Sequence, residues 1–207
     1  MKQQTILGLT ALRRYLADEP RDPRAGRLVA TSGKEPRLLP QPPGEPSLRY
    51  LSTADHAGVT SAAYGFHVDW PIPWRVVGQS VTEGQGVLVD LATERVLDDA
   101  GNAQRGAVVL LAQRPDSAAE RAALVKKAGR NMFPTATLKP LPPLVPGSRR
   151  ESFRERGDDG APHVGEVTTL ERAGVVYFLV LNAPATAYPK LKDEYAALVK
   201  SLTFAKP

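Results

Sequence analysis

The chain has 207 residues, 42% of them apolar and 24% charged, which suits a domain with a sizeable core and argues against a wholly disordered chain. It has no cysteine and three histidines, which excludes disulfides, thiolate metal sites and cysteine nucleophiles and speaks against structural zinc. No apolar run reaches the roughly 20 residues needed to cross a bilayer.

The formal charge of +5 is unevenly placed. Residues 1–50 hold nine Lys/Arg against five Asp/Glu, and residues 51–207 hold eighteen against seventeen. The basic excess therefore lies in the first quarter. A nucleic-acid-binding domain concentrates positive charge on its folded surface instead. The basic arm is expected to be solvated, or to touch an acidic surface. Specific nucleic-acid binding by this arm is kept as an alternative reading.

At the start, Ile6, Leu9, Leu12 and Leu16 recur near helical spacing. Residues 1–17 are read as a short amphipathic helix or a degenerate targeting segment. Arg13-Arg14 stands where a cleavage site would want small residues. Residues 18–59 read as a proline-rich basic extension, with seven prolines between 18 and 50. Each proline fixes φ and removes a donor, so neither a helix nor a central strand is expected there. A domain is expected over 60–207.

From Tyr64 the pattern changes. Phe66, Val68 and Trp70 alternate on one strand face. Trp74–Gly78, Gly86–Leu91 and the apolar run Gly106–Ala112 predict three more strands. Ser117 and Glu120 have the spacing of a capping box, and the spacing predicts a helix from Ser117 to a left-handed glycine cap at Gly129. Its inner stripe is expected to be Ala118, Ala122, Val125 and Ala128, extended by Leu124. Phe133–Gly147 carries five prolines and reads as a long loop. Arg149–Arg156 reads as an exposed or edge strand. Val164–Glu171 and Val175–Leu181 read as a hairpin joined at Ala173-Gly174. A last helix opens near Tyr188-Pro189 with Leu191, Tyr195, Leu198, Val199 and Leu202 on one stripe, and Phe204 lies in a closing strand. Sequential strands with few helices predict an α+β fold, a central antiparallel sheet flanked by helices, with a Pro-rich N-terminal extension.

Two stretches carry a family likeness. One is Tyr64-Gly65-Phe66-His67-Val68-Asp69-Trp70-Pro71-Ile72-Pro73-Trp74; the other is Val175–Leu181 followed by Tyr195–Phe204. Together they resemble the Mog1/PsbP/DcrB-like proteins, including related bacterial families of unknown function. The resemblance covers roughly residues 60–207. It implies an antiparallel sheet sandwiched between helices, with Phe66, Trp74 and Phe204 filling the space between them. It also implies a non-enzymatic role in binding or assembling other macromolecules, as an accessory subunit or chaperone. The metal sites of the photosystem relatives do not carry over, because no matching ligand motif is present.

Direct searches for chemistry return little. There is no G-x-S-x-G elbow. Gly84-Gln85-Gly86 precedes a strand and not a helix, so it reads as a turn and not a phosphate loop. His67 is expected to face solvent. His163, three residues before Glu166, is expected to face away from it. A metal-dependent or hydrolytic site combining His163 with Asp158 or Asp159 is the enzymatic alternative. No cofactor, metal ligand or catalytic residue is assigned. The favoured functional surface is apolar: Trp70 and Ile72 on one turn, with Leu138, Leu141 and Leu144 on the 133–147 loop, as a patch for a protein partner. The absence of cysteine fits the cytoplasm, which is preferred, and equally a periplasm or lumen.

Overall fold

The alternation at Phe66, Val68 and Trp70 builds a strand whose three large side chains are all buried in the computed structural model. The structure describes residues 37–38, 48–82, 86–157 and 160–204. The expected helix over 1–17, most of the proline-rich extension and the pair Asp158-Asp159 lie outside these residues.

In chain order the strands are β1 (Arg37–Leu38), β2 (Leu48–Ser52), β3 (His56–Ser61), β4 (Phe66–Pro71), β5 (Arg75–Thr82), β6 (Gly86–Ala92), β7 (Val96–Leu97), β8 (Ala103–Gln104) and β9 (Ala107–Gln113). Helix α1 (Ala118–Met132) follows, then β10 (Thr137–Leu141), β11 (Arg149–Arg156), β12 (Pro162–Arg172) and β13 (Val175–Pro184). Helix α2 (Tyr188–Ser201) and β14 (Thr203–Phe204) close the described chain. One sheet has the order β1-β2-β3-β4-β14, the other β10-β11-β12-β13-β9-β6-β5, and β7 pairs with β8. Every pairing is antiparallel. The fold is α+β, as the sequence predicts.

The seven-stranded sheet has a core on each face. On one face Val89, Leu91, Val108, Leu110, Tyr177, Leu179 and Leu181 meet the inner side of the smaller sheet and the buried stripe of α2. On the other, Val109, Leu111, Phe153, Val167, Phe178 and Val180 meet α1 and the segment after it. That double burial explains the continuous apolar runs at 107–112 and 175–181. At roughly 25 cal/mol per Å² of apolar surface, these two faces supply most of the drive to fold.

The β12–β13 hairpin forms as expected, with Arg172 opposite Val175. Ala173 and Gly174 both take positive φ, the twist a two-residue hairpin turn needs. In α2, Leu191, Tyr195, Leu198 and Val199 are buried as the spacing predicts.

Several expectations are corrected. The sheet includes residues before 60: Leu48, Tyr50, Ala57 and Val59 are core residues of β2 and β3, and β1 pairs with β2. Pro46 ends the proline-rich run, and the alternating Leu48, Tyr50 and Ser52 behind it are a strand signal that the prolines mask. Helix α1 keeps its capping box but runs through Gly129 to Met132. Gly129 is not a cap: a Cβ there would meet Glu151 Oε2 at 2.8 Å, so the glycine admits a close helix–sheet approach. Ala118 and Ala122 are exposed; Leu124, Val125, Ala128 and Met132 carry the contact. Part of the 133–147 loop is strand β10, which tolerates Pro140 because it lies at a sheet edge. Strand β11, expected exposed or at an edge, is therefore one strand in, with Glu151 and Phe153 buried.

Among the described residues no helix is long and apolar enough to cross a membrane.

Candidate functional site

The apolar patch expected from the sequence does not come together. Trp70 is fully buried in the larger core. Ile72 and Leu144 are half-buried against that same core, whereas Leu138 packs into the core on the opposite face of the seven-stranded sheet. Leu141 is half-buried on β10. Trp70 is thus closed off from a partner, and Leu138 lies on the opposite face of the seven-stranded sheet from Ile72 and Leu144, so the five residues do not form one patch. Among the described residues, the exposed large apolar side chain is Leu97, at the β7–β8 turn, 59% exposed.

Polar residues gather at three other places. Beneath α2, Arg150 Nε and Nη2 donate to Glu166 at 2.7 and 2.9 Å, and Tyr188 Oη donates to the same carboxylate at 2.6 Å. Tyr195 Oη donates nearby to the Leu179 carbonyl at 2.7 Å and lies 3.0 Å from the Thr168 hydroxyl, from which it can accept. Burial, and then the Glu166 carboxylate, hold the Tyr188 phenol well above its usual range. Glu166 is 1% exposed, so this cluster ties β11, β12 and α2 together and offers no route to a ligand.

On the outer side of the smaller sheet, Thr60 Oγ1 lies 2.9 Å from His67 Nδ1, and His67 Nε2 lies 3.1 Å from Asp69 Oδ2. His67 is half-exposed, as expected, but is held at both ring nitrogens. Gly58 lies under the pair, where a side chain would collide with the Asp69 carboxylate. His163 is separate: its Nδ1 lies 2.9 Å from Asn182 Oδ1, and Asn182 Nδ2 donates to Glu155 at 3.2 Å. Glu166 does face away from His163, in the Arg150 cluster. Among the described residues no group of three His, Asp or Glu side chains is placed to hold a metal ion. Asp158 and Asp159 lie outside them.

The third place is the terminal strand β5 and the corner where it begins. Its eight residues contain no proline and, among the described residues, pair on one side only, with β6, with a register shift between Val76 and Gly78. The other edge, β10, has five residues, one of them Pro140. Arg75 opens β5 opposite Ala92, the end of β6; Arg95 follows three residues on; Arg105 leads into β9. Thr93 and Gly106 clamp this corner: the Thr93 amide donates to the Gly106 carbonyl at 3.0 Å and the Gly106 amide to Thr93 Oγ1 at 2.8 Å. Burial first, then the charges of Arg95 and Arg75, hold the Arg105 guanidinium below its usual range. Sequence reading missed this site because the three arginines are separated by 20 and 10 positions and only sheet pairing unites them.

No family model matches the chain, and no curated protein does. Among solved structures, a chain from Bacteroides thetaiotaomicron VPI-5482 superposes with a TM-score of 0.36 at 11% identity, over 68% of this chain and 45% of that one. LpqN, described as involved in cell envelope biogenesis of Mycobacterium tuberculosis, superposes with a TM-score of 0.42 at 13% identity, over 83% of this chain and 92% of that one. This chain thus spans less than half the length of the first of these. At such values neither likeness decides fold or activity.

Proposed function

We propose that the chain is a non-enzymatic protein-binding module that takes up an extended segment of its partner as an added strand along β5. The observation that carries this reading is the position of β5 at the end of the sheet: eight residues without proline that, among the described residues, are paired on one side only. An unpaired edge offers backbone donors and acceptors at regular spacing, and an incoming strand satisfies them whatever its sequence. The basic corner at Arg75 favours acidic side chains at one end of that strand. The resemblance to Mog1/PsbP/DcrB-like proteins, which bind other macromolecules, agrees with the reading. This surface is not the one expected from sequence: Trp70 is inside one core, and Leu138 and Leu144 pack against different cores.

Photo-crosslinking in the native host tests it. Benzoylphenylalanine is placed at exposed Ser80 on β5, and at exposed Lys139 on β10 as a control. A discrete adduct at Ser80 and none at Lys139 is the expected result. Equal labelling at both positions, or none at Ser80, overturns the proposal.

A second reading has its own observation, the chain Thr60–His67–Asp69. Here Thr60 Oγ1 attacks an ester carbonyl, its proton passes to His67 Nδ1, and Asp69 accepts from Nε2–H. p-Nitrophenyl acetate gives a burst of nitrophenolate that Thr60→Ala abolishes if this reading holds. Turnover at the buffer rate rejects it.

A further inference from the structure

Two exposed arginines are held by aromatic rings and not by carboxylates. The Arg114 guanidinium lies 5.7 Å from the Tyr64 ring centroid, and the Arg172 guanidinium lies 5.9 Å from that of Phe204. Arg114 Nη2 also donates to the Ala63 carbonyl at 2.8 Å. Tyr177 joins the two places from beneath: its hydroxyl donates to the Tyr64 carbonyl, and its ring meets Phe204 edge-on with centroids 5.1 Å apart. Elsewhere Arg121, Arg149 and Arg150 are bound to Glu171, Glu151 and Glu166. Among the described residues neither Arg114 nor Arg172 has a carboxylate within ion-pair distance. Glu171, beside Arg172 in the chain, is held by Arg121, and Asp116, two residues past Arg114, makes no ion pair with it.

The sheet sets the spacing of the two cations. Arg172 pairs with Val175, and Arg114 follows Gln113, which pairs with Val176. They therefore leave the sheet at one end, on the side of the larger core, with β13 between them and backbones roughly 10 Å apart, two strand spacings. This end is opposite to Arg75, because β6 runs from Gly86, opposite Gln113, to Ala92, opposite Arg75. A guanidinium resting on a ring keeps N–H groups free at its edge, and its side chain has lost much of its freedom before a partner arrives. Arginines are enriched among the residues that anchor interfaces.

We propose that Arg114 and Arg172 form a docking site for an acidic peptide segment of a partner, one that presents two carboxylates on the same side of an extended chain, at positions i and i+2. Such positions are about 6.8 Å apart, and side-chain reach closes the remaining distance to each guanidinium. Two cations on alternate strands favour two separate anionic groups over one small oxyanion. The site does not depend on strand addition at β5, and each is tested separately.

The test titrates the intact ¹⁵N-labelled chain with the end-blocked peptide Ser-Glu-Ser-Glu-Ser at about 0.15 M salt and follows the arginine Nε–Hε resonances. Saturable shifts of the Arg114 and Arg172 signals are expected. Ser-Ser-Glu-Glu-Ser, whose carboxylates leave opposite sides of the chain, binds more weakly, and Ser-Gln-Ser-Gln-Ser gives no saturable shift. Arg114→Gln and Arg172→Gln each weaken binding by about tenfold, the scale of one charge-assisted hydrogen bond. Thermal melts check that both variants fold; where one does not, Arg→Lys at that position keeps the charge without the flat stacking group and weakens binding by a smaller factor. No saturable shift, equal binding of the glutamine peptide or of the adjacent-glutamate peptide, or unchanged affinity in both folded variants overturns the proposal. Single-stranded oligothymidylate binding more tightly than the acidic peptide at the same salt also overturns it, because the two arginines then serve a phosphate backbone.

Discussion

Arg150 and Glu166 face each other across β11 and β12 through two hydrogen bonds of 2.7 and 2.9 Å, with the carboxylate 1% exposed. A buried pair of this kind stabilises little relative to apolar residues of the same shape, yet breaking it leaves a charge with nothing to offset it. Arg150→Ala should therefore cost about 3–5 kcal/mol. The double substitution Arg150→Met with Glu166→Leu should cost clearly less than Arg150→Ala. Urea denaturation of both variants checks this, and a double variant as unstable as the single one refutes the assignment.

Gly165 lies on β12 directly opposite Phe153, whose ring covers it and stacks on Phe133 with centroids 3.8 Å apart. A Cβ at 165 would come 2.6 Å from Phe153 Cε1 and would also strike the backbone oxygen of Leu181. The carbonyl belongs to a paired strand and has no room to retreat. Gly165→Ala should lower stability by at least about 2 kcal/mol, the scale of an overpacked core. A thermal melt unchanged from the parent would contradict the packing described.

Asp90 sits on β6 with Gly78 opposite, its Oδ1 buried and without a hydrogen-bond partner. Burial raises its carboxyl from an ordinary 3.8 to about 7. The unfolded chain releases this proton near pH 4 and the folded chain only near pH 7, so the folded state holds more protons in between. Stability should fall as pH rises across that window and level off above it. The drop is of order a few kcal/mol, from about 1.4 kcal/mol per pKa unit. Asp90→Asn should flatten this slope and be the more stable protein at pH 8. Chemical denaturation at pH 4.5, 6 and 8 measures it, and parallel profiles for the two proteins would contradict the burial of Asp90.

Leu144 packs against the larger core from the loop after β10. Leu144→Asp should lower the melting temperature, at a cost of about 2 kcal/mol or more, because it sets a charge against apolar surface. Had the loop leucines formed a partner-binding patch, the same substitution would leave the melt unchanged.

The regular elements were legible where one signal dominated. The alternation at 66–70, the Ser117–Glu120 capping box and the apolar stripe of α2 each translate into one local structure. The errors arose where a local signal met a non-local one. Prolines 36–46 obscured Leu48–Ser52, whose burial depends on a sheet assembled from β3 and β4. Gly129 looked like a cap because its closeness to Glu151 on β11 is invisible along the chain. Trp70 and Leu138 looked alike as apolar loop-side residues, but the seven-stranded sheet separates their surroundings. The arginine corner and the open edge of β5 are consequences of strand order, and strand order was the least legible property of all.

Backbone hydrogen exchange on the native complex tests the strand-addition reading most directly. The chain is isolated from its host with whatever co-purifies, and amide exchange is compared with that of the chain alone. Slower exchange confined to residues 75–80 of β5, with β10 unchanged, is the predicted result. Protection that skips β5, or a co-purified partner that leaves its amides exchanging at the free rate, would contradict the account.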